Sequence, residues 1–340
     1  MAKRMVIGLA LIMGLLFASC RKDIHRPAVA APIVYVAGYE RNSSNISVPT
    51  LWTNGVAISL ADGTNAGVGT SMYVNGSDVY VTGNDQGSNF STAELWKNGI
   101  VTNLTDGTYN AYPESVFVNG TDVYVTGFVK SFIPTLWKNG VATTLPTGTG
   151  GADPASVYVN GADVYVVGSA YGGGSSIATL WKNGVATNLT DGTTQDYPES
   201  VFVNGADVYV IGREQNAAGS NNTIAKLWKN GIATNLTDGT YPADAHSVFV
   251  NGSDVYIAGQ EQNSSGVYVA ELWKNGVMTD LTDGTKDSYA NSVYVNGSDV
   301  YAVGGENNGD ITTAKLWKNG VATNLTDGTH DAVPYTVVVK

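Results

Sequence analysis

Few residues in this sequence are suited to chemistry. Glu114 and Glu199 close two matching triplets, Tyr112-Pro113-Glu114 and Tyr197-Pro198-Glu199. Two carboxyls facing one pocket can serve as acid and base on a glycosidic bond. Asp244-Ala245-His246, Tyr289-Ala290-Asn291 and Pro334-Tyr335 stand at the corresponding points further along. Flat phenol rings beside amides and carboxylates are the equipment of sugar and polar-peptide recognition. The plainer reading of any one of these residues is a loop cap on a solvated rim. Beyond residue 32 there are two histidines, His246 and His330, far apart and without metal-ligand spacing. Thr-Asp-Gly-Thr recurs around Asp106, Asp191, Asp238, Asp283 and Asp327. Asp and Gly there suit a turn; the sharper reading, one calcium site per repeat, lacks clustered oxygen ligands. No catalytic residue is assigned, and no metal or cofactor is expected.

What must position these residues is a repeat. Trp52, Trp96, Trp137, Trp181, Trp228, Trp273 and Trp317 are spaced by 44, 41, 44, 47, 45 and 44 residues. A period in the forties with four strand-like segments per unit predicts an all-β, seven-bladed β-propeller of four-stranded antiparallel blades. In one unit, Ser200-Val201-Phe202-Val203 is the first strand and Asp207-Val208-Tyr209-Val210 the second. The third surrounds Trp228, and the fourth follows Asn230-Gly231. Both Asn-Gly turns read as type I′, which needs positive φ at both central positions. The triplets above therefore fall in the connections just ahead of the inner strands.

The turn counts locate the ring's seam. The Trp-x-Asn-Gly turn occurs seven times, the Val-Asn-Gly turn six. Ile33-Val34-Tyr35-Val36 is a second strand with nothing before it, and Thr336-Val337-Val338-Val339 a first strand with nothing after it. The two should pair, close the ring and hide two sheet edges. The tryptophans then read as plugs between blades, or alternatively as a ring of ligand-stacking aromatics. The tyrosines of Asp-Val-Tyr-Val read as structural, each hydroxyl meeting a neighbour's backbone.

The chain carries a net charge of −11, and no basic face is evident, which argues against nucleic acid as a partner. A single cysteine, Cys20, excludes a disulfide within the fold. It follows Lys3, Arg4 and the apolar run 5–18, which is short for a membrane span but fits a secretory signal. Leu16-Phe17-Ala18-Ser19-Cys20 resembles a bacterial lipobox; an ordinary signal peptide with an incidental cysteine is the alternative. Residues 1–19 are thus expected to be a lipoprotein signal peptide, 20–32 a lipid-anchored tether and 33–340 the propeller. Loss of Lys3 and Arg4 with the signal takes the net charge to −13.

Asp78-Val79-Tyr80-Val81-Thr82-Gly83 and its copy Asp122-Val123-Tyr124-Val125-Thr126-Gly127 are similar to bacterial SBBP-type propeller repeats. Arg21-Lys22-Asp23 after the lipobox resembles the start of surface lipoproteins of Bacteroidota. The resemblance covers everything after about Ile33. It implies an outer-membrane lipoprotein, exposed on the cell surface. It says little about function, since propellers host binding, scaffolding and many chemistries.

Propeller geometry sends the two Asn-Gly turn sets to one face and the other connections to the opposite face. The first set is short and uniform, with lysine in six of seven outer turns: Lys97, Lys138, Lys182, Lys229, Lys274 and Lys318. These read as solvated charge discouraging edge pairing, or as a docking surface for anionic envelope polymer. The second set holds nearly all the variation. The site is accordingly expected there, at Tyr197, Glu199, Asp244, His246, Tyr289, Asn291 and Tyr335 on blades five, six, seven and one, with Tyr112 and Glu114 on blade three. The expected function is a monomeric, surface-displayed module binding glycan or an envelope protein. The rivals are a glycan-active hydrolase or lyase and an envelope scaffold.

Overall fold

In the computed structural model, residues 31–87, 89–148, 150–216 and 222–340 are described. Cys20 and the whole signal region lie outside them. Among the described residues, twenty-eight strands form seven four-stranded antiparallel sheets. Blade five shows the plan: inner strand Asp196–Asn204, second Asp207–Gln215, third Thr223–Lys229 and outer Ile232–Asn235. Each inner strand packs against the inner strands of both neighbours. The contact between Ala332–Val339 and Gly67–Asn75 completes the circle. The fold is a closed seven-bladed β-propeller.

The seam is where the turn counts place it. Blade one joins Ala332–Val339, from the end of the chain, to Val34–Arg41, from its start, then Ser47–Thr53 and Val56–Ser59. Val339 faces Val34 and Val337 faces Val36, so the pairing is offset by one residue from the simplest alignment of the two ends. The Ile33 N–H donates to the Lys340 carbonyl at 2.7 Å, and the Lys340 N–H returns the bond at 3.0 Å.

The two turn sets differ in type. At the outer turn Asn230 and Gly231 have φ of 53° and 80°, which is type I′ as expected. At the inner turn only Gly205 is positive, at 62°, and Asn204 still pairs with Asp207. The loop is therefore Gly205-Ala206, a type II′ turn, and the asparagine is released for another task. Its amide donates to the Gly252 carbonyl of the next blade at 2.8 Å. Asn75, Asn119, Asn160 and Asn251 do the same at 2.8–3.2 Å. The inner-strand serines add a second circle. The Val116, Val157, Val201, Val248, Val293 and Val337 N–H groups donate to the serine of the preceding blade at 3.2–3.5 Å. Without them, the inner edge of each sheet would leave donors unpaired against the channel.

The core lies between blades. Every tryptophan is at most 1% exposed. Trp96 of blade two packs on Ala37 and Leu51 of blade one; Trp273 packs on Tyr209, Ile211 and Ala225 of blade five. Trp52 packs on Tyr301 and Val303 across the seam. They are plugs, with no face available to a ligand. Each removes up to about 4–6 kcal/mol worth of surface from water.

Candidate functional site: the variable mouth of the ring

Each inner strand begins earlier than expected and contains a bulge. Tyr197-Pro198-Glu199 is the opening of a strand rather than a loop: Tyr197 faces Arg213, Pro198 faces Gly212, and Ser200 faces Ile211. Glu199 is the extra residue, opposite nothing. Such insertions re-aim one side chain out of the ladder. The same shift occurs in all seven blades, leaving Thr70, Glu114, Ala155, Glu199, His246, Asn291 and Tyr335 unpaired.

The bulge explains the glycine that ends each Asp-Val-Tyr-Val segment. Gly38, Gly83, Gly127, Gly168, Gly212, Gly259 and Gly304 sit opposite it. A Cβ at any of them would lie 1.9–2.2 Å from a carbonyl oxygen of the inner strand. Only glycine admits that approach. Proline is accepted just before the bulge because a bulged inner edge asks no ladder bond of it.

The unpaired residues face the axis. Tyr335 of blade one senses the charge of Glu114 on blade three, and Glu114 senses Glu199 on blade five. Toward the Asn-Gly face the channel carries an aromatic collar of Tyr73, Phe117, Tyr158, Phe202, Phe249 and Tyr294. Neighbouring rings are 4.7–5.2 Å apart and inclined by 48–54°, near the ~51° between blades of a seven-fold ring. The channel is thus a funnel, polar and varied at the mouth, aromatic and uniform at the far end.

Electrostatics at the mouth are dominated by half-buried acids. Burial, with the Asp153 and Glu199 carboxylates nearby, pushes Glu114 up to about 8. Burial raises Asp153 to about 6 and Glu199 to about 7, the latter opposed by the Arg213 guanidinium. Burial holds His246 below its usual value, so it is neutral near pH 7. Glu114 and Glu199 were expected to be too distant to act together; they stand on blades three and five with blade four between them, and Glu114 feels the Glu199 charge from there.

Arg213 organises one side. Its guanidinium lies 4.8 Å from the Tyr197 ring centre, 3.5 Å from Asp244 and 4.0 Å from Glu199. Asp244 also accepts from Thr223 and Gln260, each at 3.2 Å. Tyr197, Arg213, Thr223 and Asp244 line a cleft of about 420 Å³ between blades five and six, together with Tyr268. Arg213 was not among the expected site residues. Its signal was a cation amid acids and amides, in a stretch read as loop but folded as the end of the second strand.

The remaining expected residues divide. Tyr335 lies 6.2 Å from Tyr39, whose hydroxyl donates to Asp331 at 3.2 Å, and Tyr289 senses all three. Asn291 donates to the Pro334 carbonyl at 3.0 Å, which ties blade seven to the seam. Tyr112 and Glu114 line a cleft of about 340 Å³ between blades two and three, with Thr70 and Asn84. The aromatic residues are not confined to one side. Tyr112, Phe128, Phe132 and Tyr171 form a continuous row over blades three and four, of which the sequence reading named Tyr112 alone.

The opposite face is neutralised. Each of the six lysines pairs with the aspartate of its own blade (Asp78, Asp122, Asp163, Asp207, Asp254 or Asp299) at 2.7–2.9 Å. Each also lies 5.0–5.3 Å from the ring centre of the blade's tyrosine. The Tyr124, Tyr165, Tyr209, Tyr256 and Tyr301 hydroxyls lie 3.4–3.5 Å from the same aspartates, not against a neighbour's backbone. The lysines are about half exposed, solvated as expected, but each is held in a pair within its own blade. In the Thr-Asp-Gly-Thr turns, Asp62, Asp106, Asp191, Asp238, Asp283 and Asp327 accept the N–H of the residue two places on, always a threonine, at 2.7–3.0 Å. That is an Asx turn, which occupies the carboxylate locally.

No protein-family model matches the sequence, and no curated protein does. Solved structures do match. The β-propeller domain of the Trilobed protease from Pyrococcus furiosus, described as having an open velcro topology, is 12% identical with a TM-score of 0.54. The match covers 88% of this chain and 95% of that one. A putative TolB from Agrobacterium tumefaciens is 11% identical with a TM-score of 0.48, covering 92% and 99%. At such identity the likeness concerns fold alone: this chain shares the β-propeller fold, as a closed ring of seven blades.

Proposed function

We propose that this protein is a binding module that holds a glycan at the variable mouth of its funnel and is displayed from the cell envelope by a lipid on Cys20. One observation carries the reading. Plugs and outer turns repeat in all seven blades, and the ion pairs and collar rings in six, yet the seven bulge positions hold Thr, Glu, Ala, Glu, His, Asn and Tyr. A scaffold built from near-copies diversifies its residues where they meet something asymmetric.

Val34 donates to the Asn54 side chain of an outer turn, so the ring begins on the Asn-Gly face. The test is a glycan array probed with the full chain in detergent. Tyr197→Ala should weaken binding by roughly 1–3 kcal/mol, and Lys182→Ala should not change it. Loss of binding in the lysine variant alone would assign the site to the wrong face.

The position of Glu114 at the funnel mouth, where burial raises it to about 8, favours a second reading, glycan hydrolysis, with Glu114 as the protonated acid. Cleavage of an array-selected oligosaccharide, abolished by Glu114→Gln, would establish it.

A further inference from the structure

Of the row Tyr112, Phe128, Phe132 and Tyr171, Tyr112 borders the cleft between blades two and three, and the other three rings line neither cleft described above. Tyr112 and Phe128 are cross-strand partners with ring centres 5.1 Å apart. Phe132 stacks on Phe128 at 5.1 Å and 28°, and meets Tyr171 of the next blade edge-on at 5.3 Å and 75°. Tyr171 lies within electrostatic reach of Asp153 and of Tyr197. The row therefore runs along the rim from blade three toward the Arg213 cleft.

Phe132 is unusual in two respects. Its φ is 60°, a left-handed conformation that a bulky side chain adopts only at a cost in backbone strain. Its ring is 43% exposed, so burial does not repay that cost. The backbone is held there from blade four: Ala152 N–H donates to the Phe132 carbonyl at 2.9 Å, and a Cβ on Gly151 would sit 2.4 Å from the same oxygen. The contact keeps an exposed ring on the row.

We infer that this row is a second sugar subsite, and that the bound molecule is an extended, uncharged glycan chain running from the Phe132 row across Asp153 to the Tyr197–Arg213 cleft. The inference rests on the glycan reading above and extends it to the shape and charge of the ligand. Ring faces flanked by carboxyl groups match the apolar faces and hydroxyl edges of successive sugars. An anionic chain would face the Asp153 carboxylate and a partly ionised Glu199, while Arg213 is already paired with Asp244 and Glu199. A peptide adds to a sheet through free backbone donors, and the inner-strand valine N–H groups are already held by serines.

The experiment is calorimetric titration of the full chain with neutral gluco-, xylo- and manno-oligosaccharide ladders, from disaccharides to octasaccharides. A twelve-residue peptide library is the comparison. At least one ladder should gain about tenfold in affinity between its short and long members. Phe132→Ala should remove that gain and spare the short members, Tyr197→Ala should weaken both, and Phe132→Tyr should behave as the parent. A binding ladder that is flat with length, or a gain that survives Phe132→Ala, overturns the second subsite and leaves the glycan reading standing. Binding to no ladder, with or without peptide binding, overturns both.

Discussion

Removal of residues 333–340 tests the seam most directly. The excised segment contributes Val333, Val337, Val338 and Val339, which are 9%, 2%, 9% and 2% exposed. At about 1.5–3 kcal/mol for each buried valine, some 6–12 kcal/mol of burial is lost. That is comparable with the whole stability of a typical domain, about 5–15 kcal/mol. Two further losses accompany it. Trp52 shares its core with Val337 and Val339 and would be uncovered, and Val34–Arg41 would become an open strand edge. Thermal unfolding with simultaneous light scattering, parent beside truncation, is the assay. The truncated chain should show no cooperative transition near the parental Tm and should scatter on standing. Val337→Ala gives a graded version, lowering Tm by several degrees for about 1–2 kcal/mol. A truncated chain melting within about 4 °C of the parent would refute the split-blade energetics.

Three further outcomes are expected. Glu114 binds a proton in the folded chain up to about pH 8 but has an ordinary value of 4.5 unfolded, so its stabilising contribution is full below 4.5 and fades as pH rises to 8. Glu114→Gln should abolish that slope and, at pH 9, exceed the parent in stability by about 1–2 kcal/mol, the linkage value discounted for water at the funnel mouth; equal denaturation midpoints across pH 5–9 would count against a buried carboxyl. A circular permutant that joins Lys340 to Ile33 through a Gly-Ala turn and opens at Gly76 should fold with near-parental Tm, since those ends already exchange two hydrogen bonds; aggregation of the permutant would contradict equivalent junctions. Cys20→Ser should release the protein from membranes or leave it unprocessed, and a processed variant that still partitions into detergent would remove the anchor.

How much of this was legible depends on the range of the interaction. Strand identity, the outer I′ turns and the seam are written locally, because Asn-Gly needs positive φ and a missing turn leaves two half-blades at the chain ends. The seven tryptophans likewise announce one plug per blade, since a large ring at a fixed strand position is best buried. The inner turns were misread because Asn204 is drawn away from the turn by the Gly252 carbonyl of another blade. Glu199 could be found by type but not by environment: its bulge exists only because Gly212 lets two backbones approach. Arg213, the Glu114–Glu199 coupling and the Phe132 row join residues on different blades, and no spacing within one repeat encodes those distances. The repeated sequence determined the scaffold and its seam, since each repeat carries its own turns and plug. The composition of the mouth was decided by ring closure, which alone brings the unlike residues of seven similar blades to one axis.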